Sequence, residues 1–326
     1  MPQEAKSIDA AAYGGPGWVG RDTTLREEFG GIWSACGIDS EWRRLRAVLL
    51  HRPGAELASA EPDAALMLAP LDLGKAQAQH DELAQAYRDH GVEVHAIAPD
   101  EPAQPNQMFA ADLFFMTPEG AVLGRPASRV RAGEERQVAR RLAALGVPIL
   151  RSLRGAATFE GADAAWLDPE TVLIGRGLRT NRAGADQLRA LLQEMGISVV
   201  TVDLPAGAMH LMGLLRLVDR DLAIAWPGRT PAAAIEALRD RDIQVALLRD
   251  EAEALTEFRA GMALNFVTLA PRRILMVDGN PAAQAFFEAQ GIECLSVAAD
   301  ELAKAAGALG CLTGVLWRDP AKGVSG

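Results

Sequence analysis

Five short segments of this chain share one form and one spacing. "GVEVHAI" begins at Gly91, "GVPIL" at Gly146, "GISVVTV" at Gly196, "DIQVALL" at Asp242 and "GIECLSV" at Gly291. Successive starts lie 55, 50, 46 and 49 residues apart. Each follows a stretch with apolar residues at every third or fourth position, such as "AQAQHDELAQAYRDH" or "GEERQVARRLAAL", which is the pattern of an amphipathic helix. The glycine that opens four of the five segments is a helix C-cap signal. Upstream lie apolar runs broken by "TPEG", "DPET", "DRD" or "APRR", which read as hairpins. The unit is therefore strand–turn–strand–helix–strand, and the chain is of the α/β class with five ββαβ units. A period of this length belongs to a solenoid, a propeller or a closed array. A linear solenoid needs polar capping repeats, and none is evident. The expectation is five units around a pseudo-fivefold axis, forming one domain. A doubly wound sheet fits less well, because there single strands alternate with helices.

The repeats set the domain limits: an N-terminal arm over residues 1–40, irregular and rich in Gly and Ala in its first thirty residues, and a single domain over 41–326. With 49% hydrophobic and 23% charged residues, the chain is too apolar for disorder. A formal net charge of −10 argues against a nucleic-acid partner, which needs clustered Lys and Arg. Cys36, Cys294 and Cys311 are an odd set without metal-ligand spacing, so a reducing, cytoplasmic setting is expected, without a disulfide framework. No apolar run is long enough to cross a bilayer, and the first residues lack the apolar core of a signal peptide. Oligomerisation through the arm stays open. No metal or organic cofactor is implied.

Reactive side chains fall near the starts of successive units. Asp112 stands in "NQMFAADLFFMT", Glu160 and Asp163 in "TFEGADAAWL", His210 in "AMHLMGLLRLVD" and Cys311 in "GALGCLTGVL". In a closed ring these starts converge on the axis. Together they make coherent chemistry. A thiolate is a strong nucleophile, and a nearby His serves as its acid and base. A carboxylate beside that His orients it and favours its protonated form. A second carboxylate holds a cationic substrate. Such a centre suits attack on a carbon flanked by nitrogens. Taken singly, each residue has a plainer explanation: a buried structural thiol, a hydrogen-bonded histidine, a turn-capping aspartate.

With "FAADLFFMTPEGAVLGRPASRVRAGEE", "TFEGADAAWL", "GRGLRTNRAGADQL", "MHLMGLLRLVD" and "GALGCLTGVL", the chain resembles the guanidine-modifying enzymes of the pentein superfamily. These include dimethylargininases, arginine deiminases and amidinotransferases, and the likeness runs from about Arg44 to Arg318. It implies a five-bladed α/β propeller. It also implies roles: Cys311 attacks the guanidino carbon to give an S-linked intermediate, His210 protonates the leaving amine and then activates water, and Glu160 orients His210. Asp112 would hold the guanidinium, and Arg129 and Arg179 would bind a substrate carboxylate. Asp163 joins the substrate-side set.

Three departures from the family pattern bear on the substrate. Met212 stands where relatives usually carry an acid after His-Leu, Ala111 precedes Asp112, and the approach to Cys311 is "GALGC". Each removes charge or adds bulk. The leading expectation is hydrolysis of a small guanidino or amidine-like compound. Hydrolysis of a 2-substituted imidazole, such as a 2-nitroimidazole with nitrite release, is the alternative that these departures favour. Amidino transfer and a catalytically inert binding protein rank lower.

Overall fold

The structure, a computed structural model, describes residues 10–58, 60–99, 103–248 and 262–321. Its strands form five three-stranded sheets. The first holds β1 (Leu45–Leu50), β2 (Glu93–Ala96) and β15 (Gly314–Arg318). The second holds β3 (Phe114–Thr117), β4 (Gly120–Leu123) and β5 (Ile149–Ser152); the third holds β6 (Ala164–Asp168), β7 (Thr171–Arg176) and β8 (Ser198–Asp203). The fourth holds β9 (Leu215–Asp219), β10 (Leu222–Ala225) and β11 (Gln244–Leu247); the fifth holds β12 (Val267–Ala270), β13 (Arg273–Val277) and β14 (Glu293–Val297). In every sheet the middle strand pairs antiparallel with one neighbour and parallel with the other. The four expected hairpins are all present, with "TPEG", "DPET", "DRD" and "APRR" at their turns.

A parallel pair needs a crossover, and a helix supplies it each time. These helices are α1 (Leu73–Asp89), α2 (Glu134–Ala144), α3 (Arg182–Glu194), α4 (Ala232–Arg239) and α5 (Pro281–Ala289). Side chains of Asp72, Asn181 and Asn280 cap α1, α3 and α5 by accepting backbone N–H bonds, which satisfies donors that the first turn leaves open. At the other end Gly91, Gly146, Gly196 and Gly291 all have positive φ. Asp242 takes the same left-handed place in the fourth unit, at φ 56°; aspartate is one of the few side chains that tolerates it.

The first sheet differs from the others. Its own unit supplies β1 and β2, and the third strand is β15 from the end of the described chain. Each sheet also touches two others. β15 meets β3, the turn before β6 meets β3, β12 meets β9, β1 meets β12, and the turn before β9 packs on β6. Part of the arm is built into this framework. Cys36 and Ile38 are buried, and Ile38 N–H donates to the Thr117 carbonyl at 3.3 Å. Residues 1–9 of the arm and 322–326 of the expected domain lie outside the described residues.

Candidate active site

Just before strands β3, β6, β9 and β15 the chain makes a tight turn, and these turns hold the candidate reactive residues. Asp112 ends the 3-10 turn Ala110–Asp112 before β3, and Asp163 ends Gly161–Asp163 before β6, with Glu160 at its N-cap. His210 caps Leu211–Gly213 before β9, and Cys311 lies in the one-turn helix Leu309–Leu312 before β15. The turn bearing Asp112 touches those bearing Cys311 and Asp163, and the latter touches the turn after His210. Gly161 allows this approach. A Cβ there would overlap the Phe114 carbonyl oxygen and lie 2.5 Å from that of Ala111.

His210 Nε2 is 2.6 Å from Glu160 Oε2 and 3.8 Å from Asp112 Oδ1. Burial alone would lower the imidazole's pKa, but Asp112, the bond to Glu160 and the charge of Asp163 outweigh it and raise it to about 9. His210 is therefore protonated at neutral pH. Glu160 is also buried. Burial would raise its carboxyl, but the bond to His210 and the charges of His210, Arg131 and Arg179 bring it down to about 2. Its Oε1 accepts the Ala127 N–H at 3.1 Å. Asp163 accepts the Leu211 N–H at 3.0 Å and so fixes the turn after His210. Burial pushes its carboxyl up to about 6.

Cys311 lies between two hollows. One, of about 230 Å³, is lined by His210, Met212, Trp226, Met262, Asn265 and Cys311 among others. The other, about 30 Å³, is lined by Asp112, Arg131, Arg179, Phe109 and Cys311 among others. Burial and the nearby charge of Asp112 raise the thiol to about 11, against the opposing bond from Asn265. At neutral pH the resting pair is a thiol and an imidazolium.

The eight residues singled out in the sequence are not equally placed. Cys311, His210, Glu160, Asp112 and Asp163 sit in the converging turns, and Met212 and Arg179 line the hollows beside Cys311. Arg179 Nη1 is 3.5 Å from Glu160 Oε1. Arg129 is exposed. Arg131, two residues on, is the one that is buried among the carboxylates, with Nη1 donating to Asp112 Oδ2 at 2.5 Å. Asn265 is the second residue that the sequence reading passed over. Its Nδ2 donates to Cys311 Sγ at 3.1 Å, and its Oδ1 accepts the Cys311 N–H at 3.2 Å. It lies just before β12, so the fifth unit start also contributes to the site.

Asp112, Glu160 and His210 each offer one atom within 4.8 Å of the others, a spacing that could hold a metal ion. The Arg131 guanidinium lies 2.5 Å from Asp112 and 3.5 Å from Glu160. A resident cation thus compensates the charge that a metal would need, and the set is a poor fit for one.

With this geometry in place, the family model described as N,N dimethylarginine dimethylhydrolase, eukaryotic, matches residues 72–256. The chain belongs to that family. The arginine deiminase model matches residues 235–318, so both matches lie within the pentein superfamily that the motifs indicate. An arginine deiminase of Rhodococcus erythropolis is 25% identical over 87% of this chain and 98% of its own. The dimethylarginine dimethylaminohydrolase of Streptomyces coelicolor is 27% identical over 74% of this chain and 86% of its own. Among solved structures, the Pseudomonas aeruginosa dimethylarginine dimethylaminohydrolase complexed with citrulline aligns with a TM-score of 0.69, at 20% identity, over 84% of this chain and all of that one. An amidinotransferase of Microseira wollei aligns with the same TM-score at 14% identity, over 88% of this chain and 98% of that one.

Proposed function

We propose that this dimethylhydrolase-family chain is a cysteine-dependent hydrolase of a small guanidino or amidine-like compound, attacking the carbon between two nitrogens. The observation that carries the reading is the His210–Glu160 bond of 2.6 Å beside a cavity that both His210 and Cys311 line. Family membership supports hydrolysis of guanidino C–N bonds, since the similar curated proteins are dimethylarginine dimethylaminohydrolases and arginine deiminases. The five sheets are read as blades of a ring within a catalytic domain over 41–326. The contacts of each sheet with two others support this.

In the mechanism, Cys311 Sγ bonds to the central carbon and its proton passes to a substrate nitrogen. His210, protonated at rest, gives its proton to the leaving amine as the C–N bond breaks. The remaining group is then held on sulfur. Neutral His210 next takes a proton from water, and the resulting hydroxide bonds to the carbon. The C–S bond breaks, and the sulfur recovers its proton from the substrate nitrogen. The sum is substrate plus water to a urea-type product plus amine, with both residues restored. Glu160 keeps the imidazole oriented throughout and favours its charged form at rest. The test is mass spectrometry of the protein with methylated arginines, agmatine, guanidino acids and amidines. An adduct on Cys311, absent in Cys311→Ser together with turnover, is expected. Turnover that survives in Cys311→Ser would remove the mechanism.

A second reading, displacement at a 2-substituted imidazole, is favoured by the lining of the larger hollow. Trp226, Met212, Met262 and Leu264 face it with few polar groups, as a flat aromatic ring prefers. Nitrite released from a 2-nitroimidazole is its readout, and absence of release at substrate saturation eliminates it.

A further inference from the structure

Arg216 is a half-buried cation that the mechanism leaves unused. It stands on β9, the strand into which the turn after His210 leads. It lines neither of the two hollows beside Cys311, but a separate space of about 40 Å³ that it shares with Glu41 and Met212. Met212 also lines the larger hollow, so Arg216 lies behind the wall of the candidate site. Its Nη2 donates to the Phe266 carbonyl at 2.7 Å, and its Cζ stands 5.4 Å from the Phe266 ring centre, within cation–π range. Both contacts cross from the fourth sheet to the start of the fifth. Among the described residues no carboxylate forms an ion pair with this guanidinium. Glu41, in the same hollow, accepts the Trp166 N–H at 3.1 Å.

Phe266 directly follows Asn265, and Asn265 is the residue that spans Cys311. Its Nδ2 donates to Sγ at 3.1 Å, and its Oδ1 accepts the Cys311 N–H at 3.2 Å. The backbone of Asn265 is pinned as well. Its N–H donates to the Met262 carbonyl at 2.8 Å, and its carbonyl accepts the Gly310 N–H at 3.1 Å. The fit leaves little slack, since a Cβ on Gly310 would lie 3.0 Å from Asn265 Oδ1 and 3.1 Å from Met212 Sδ. Hydrogen bonds weaken steeply as they lengthen and bend. Whatever anchors this stretch therefore sets how well the amide can serve a forming thiolate, and Arg216 supplies the anchor from the fourth sheet.

Charge acts in the same sense. Burial and Asp112 raise the Cys311 thiol to about 11, and the Asn265 bond and the charge of Arg216 oppose them. His210 and Arg229 share the larger hollow with Cys311, and Asp112, Arg131 and Arg179 share the smaller. Glu160 and Asp163 act on His210. Those groups line the hollows or act on residues that do. Arg216 does neither, so it can be changed without removing a group that faces a substrate.

We infer that Arg216 is a positioning residue for the reaction: through its bond to the Phe266 carbonyl it holds Asn265 within hydrogen-bonding distance of Cys311 Sγ as the sulfur attacks. This rests on Cys311 as the nucleophile.

The experiment follows alkylation of Cys311 by iodoacetamide, a neutral probe, against pH on the full chain. The sulfur bonds to the CH2 carbon, iodide leaves, and the thiol proton goes to solvent. Wild type, Arg216→Met, Asn265→Ala and the double variant form a cycle. Arg216→Met should slow labelling at neutral pH by roughly tenfold and move the profile up by about one pH unit, the scale of one hydrogen bond to a charged group. In the Asn265→Ala background the same change should cost less than about threefold, because the two residues act as one unit. Arg216→Lys, which keeps a donor and a charge, should recover most of the rate. A folded Arg216→Met with the wild-type profile overturns the inference. So does a loss that repeats in full in the Asn265→Ala background, since Arg216 would then act without Asn265. Should Arg216→Met not fold, Arg216→Gln, shorter and uncharged, takes its place in the cycle with the same deciding outcomes. If Cys311 is not labelled in the wild type, or turnover survives in Cys311→Ser, the nucleophile reading falls and the inference with it. Labelling of the wild type with profiles that do not move sinks the inference only.

Discussion

Asn265 touches Cys311, the proposed nucleophile, twice, through its amide N–H to sulfur at 3.1 Å and its carbonyl to the Cys311 N–H at 3.2 Å. A bond to a forming thiolate is stronger than one to a neutral thiol, so its loss raises the barrier to attack. Asn265→Ala is expected to lower kcat/KM by about 10- to 100-fold, the size of one hydrogen bond to a charged group. It should also move the pH profile of Cys311 alkylation upward. A slower enzyme with an unmoved profile would mean that Asn265 only packs. His210 and Glu160 make a second prediction at this scale. The imidazole stands at about 9 against an ordinary 6.5, so its stabilisation is full below pH 6.5 and is lost as pH rises through 9. Glu160 stands at about 2 against 4.5, so its contribution is present above pH 4.5 and lost as pH falls towards 2. Asp163, held up to about 6 against an ordinary 3.8, adds a cost that grows as pH rises between those two values and is constant above them. Thermal melts should therefore place the site's largest stabilisation between pH 4.5 and 6.5. Glu160→Gln should lower kcat by roughly 100-fold or more, on the scale of general acid–base catalysis, and pull the alkaline limb of the rate profile below 9. An unshifted limb would assign that limb to another group.

The hairpins and helices were open to reading because each depends on local chemistry. Pro and Gly or paired polar residues fix a turn, and a 3.6-residue period fixes a helix face. The converging turns could be placed at unit starts for the same reason. What was not legible follows from geometry finer than a repeat. Arg129 and Arg131 share one 3-10 turn, Arg129–Arg131, and nothing in "SRVRAG" says which of two arginines two residues apart goes inward. Glu134, whose Oε2 accepts from Arg131 Nε at 2.9 Å, is the partner that decides it. Asn265 had one available signal: four unit starts carried a reactive residue and the fifth had none assigned. The turns themselves are testable. Gly161 packs so closely on the Ala111 and Phe114 carbonyls that a methyl group cannot enter. Gly161→Ala should cost about 3 kcal/mol, at the upper end of ordinary substitutions, and should weaken the His210–Glu160 pair along with it. Calorimetry paired with the rate profile checks this. A melting temperature within a degree or two of wild type would show that the turn can shift without harm.

At the scale of the molecule, the decisive element is β15. A terminal strand is normally where fraying begins, yet here it holds the first sheet to the rest of the chain. Val48 and Leu49 of β1 pair with Val315 and Gly314. On its other side Gly37 N–H donates to the Leu316 carbonyl at 2.9 Å, and Arg318 N–H to the Gly37 carbonyl at 3.2 Å. The buried Arg318 guanidinium adds bonds to the Arg43 and Thr268 carbonyls at 2.6 and 2.8 Å. So β15 is tied on both sides to segments some 270 residues earlier in the sequence, and through Arg318 to the fifth sheet. It also follows Cys311 by three residues, so any opening of β15 would release that side chain. A site this dependent on one strand works only if the strand opens with the whole molecule. The expectation is that amides of Val315–Trp317 exchange with solvent within about tenfold of those in the buried strand β7, both limited by global opening. Exchange in β15 faster by roughly a thousandfold, the mark of local opening, would overturn this. Cys311 would then sit on a hinged segment, and the first sheet would be held to the others by contacts other than β15.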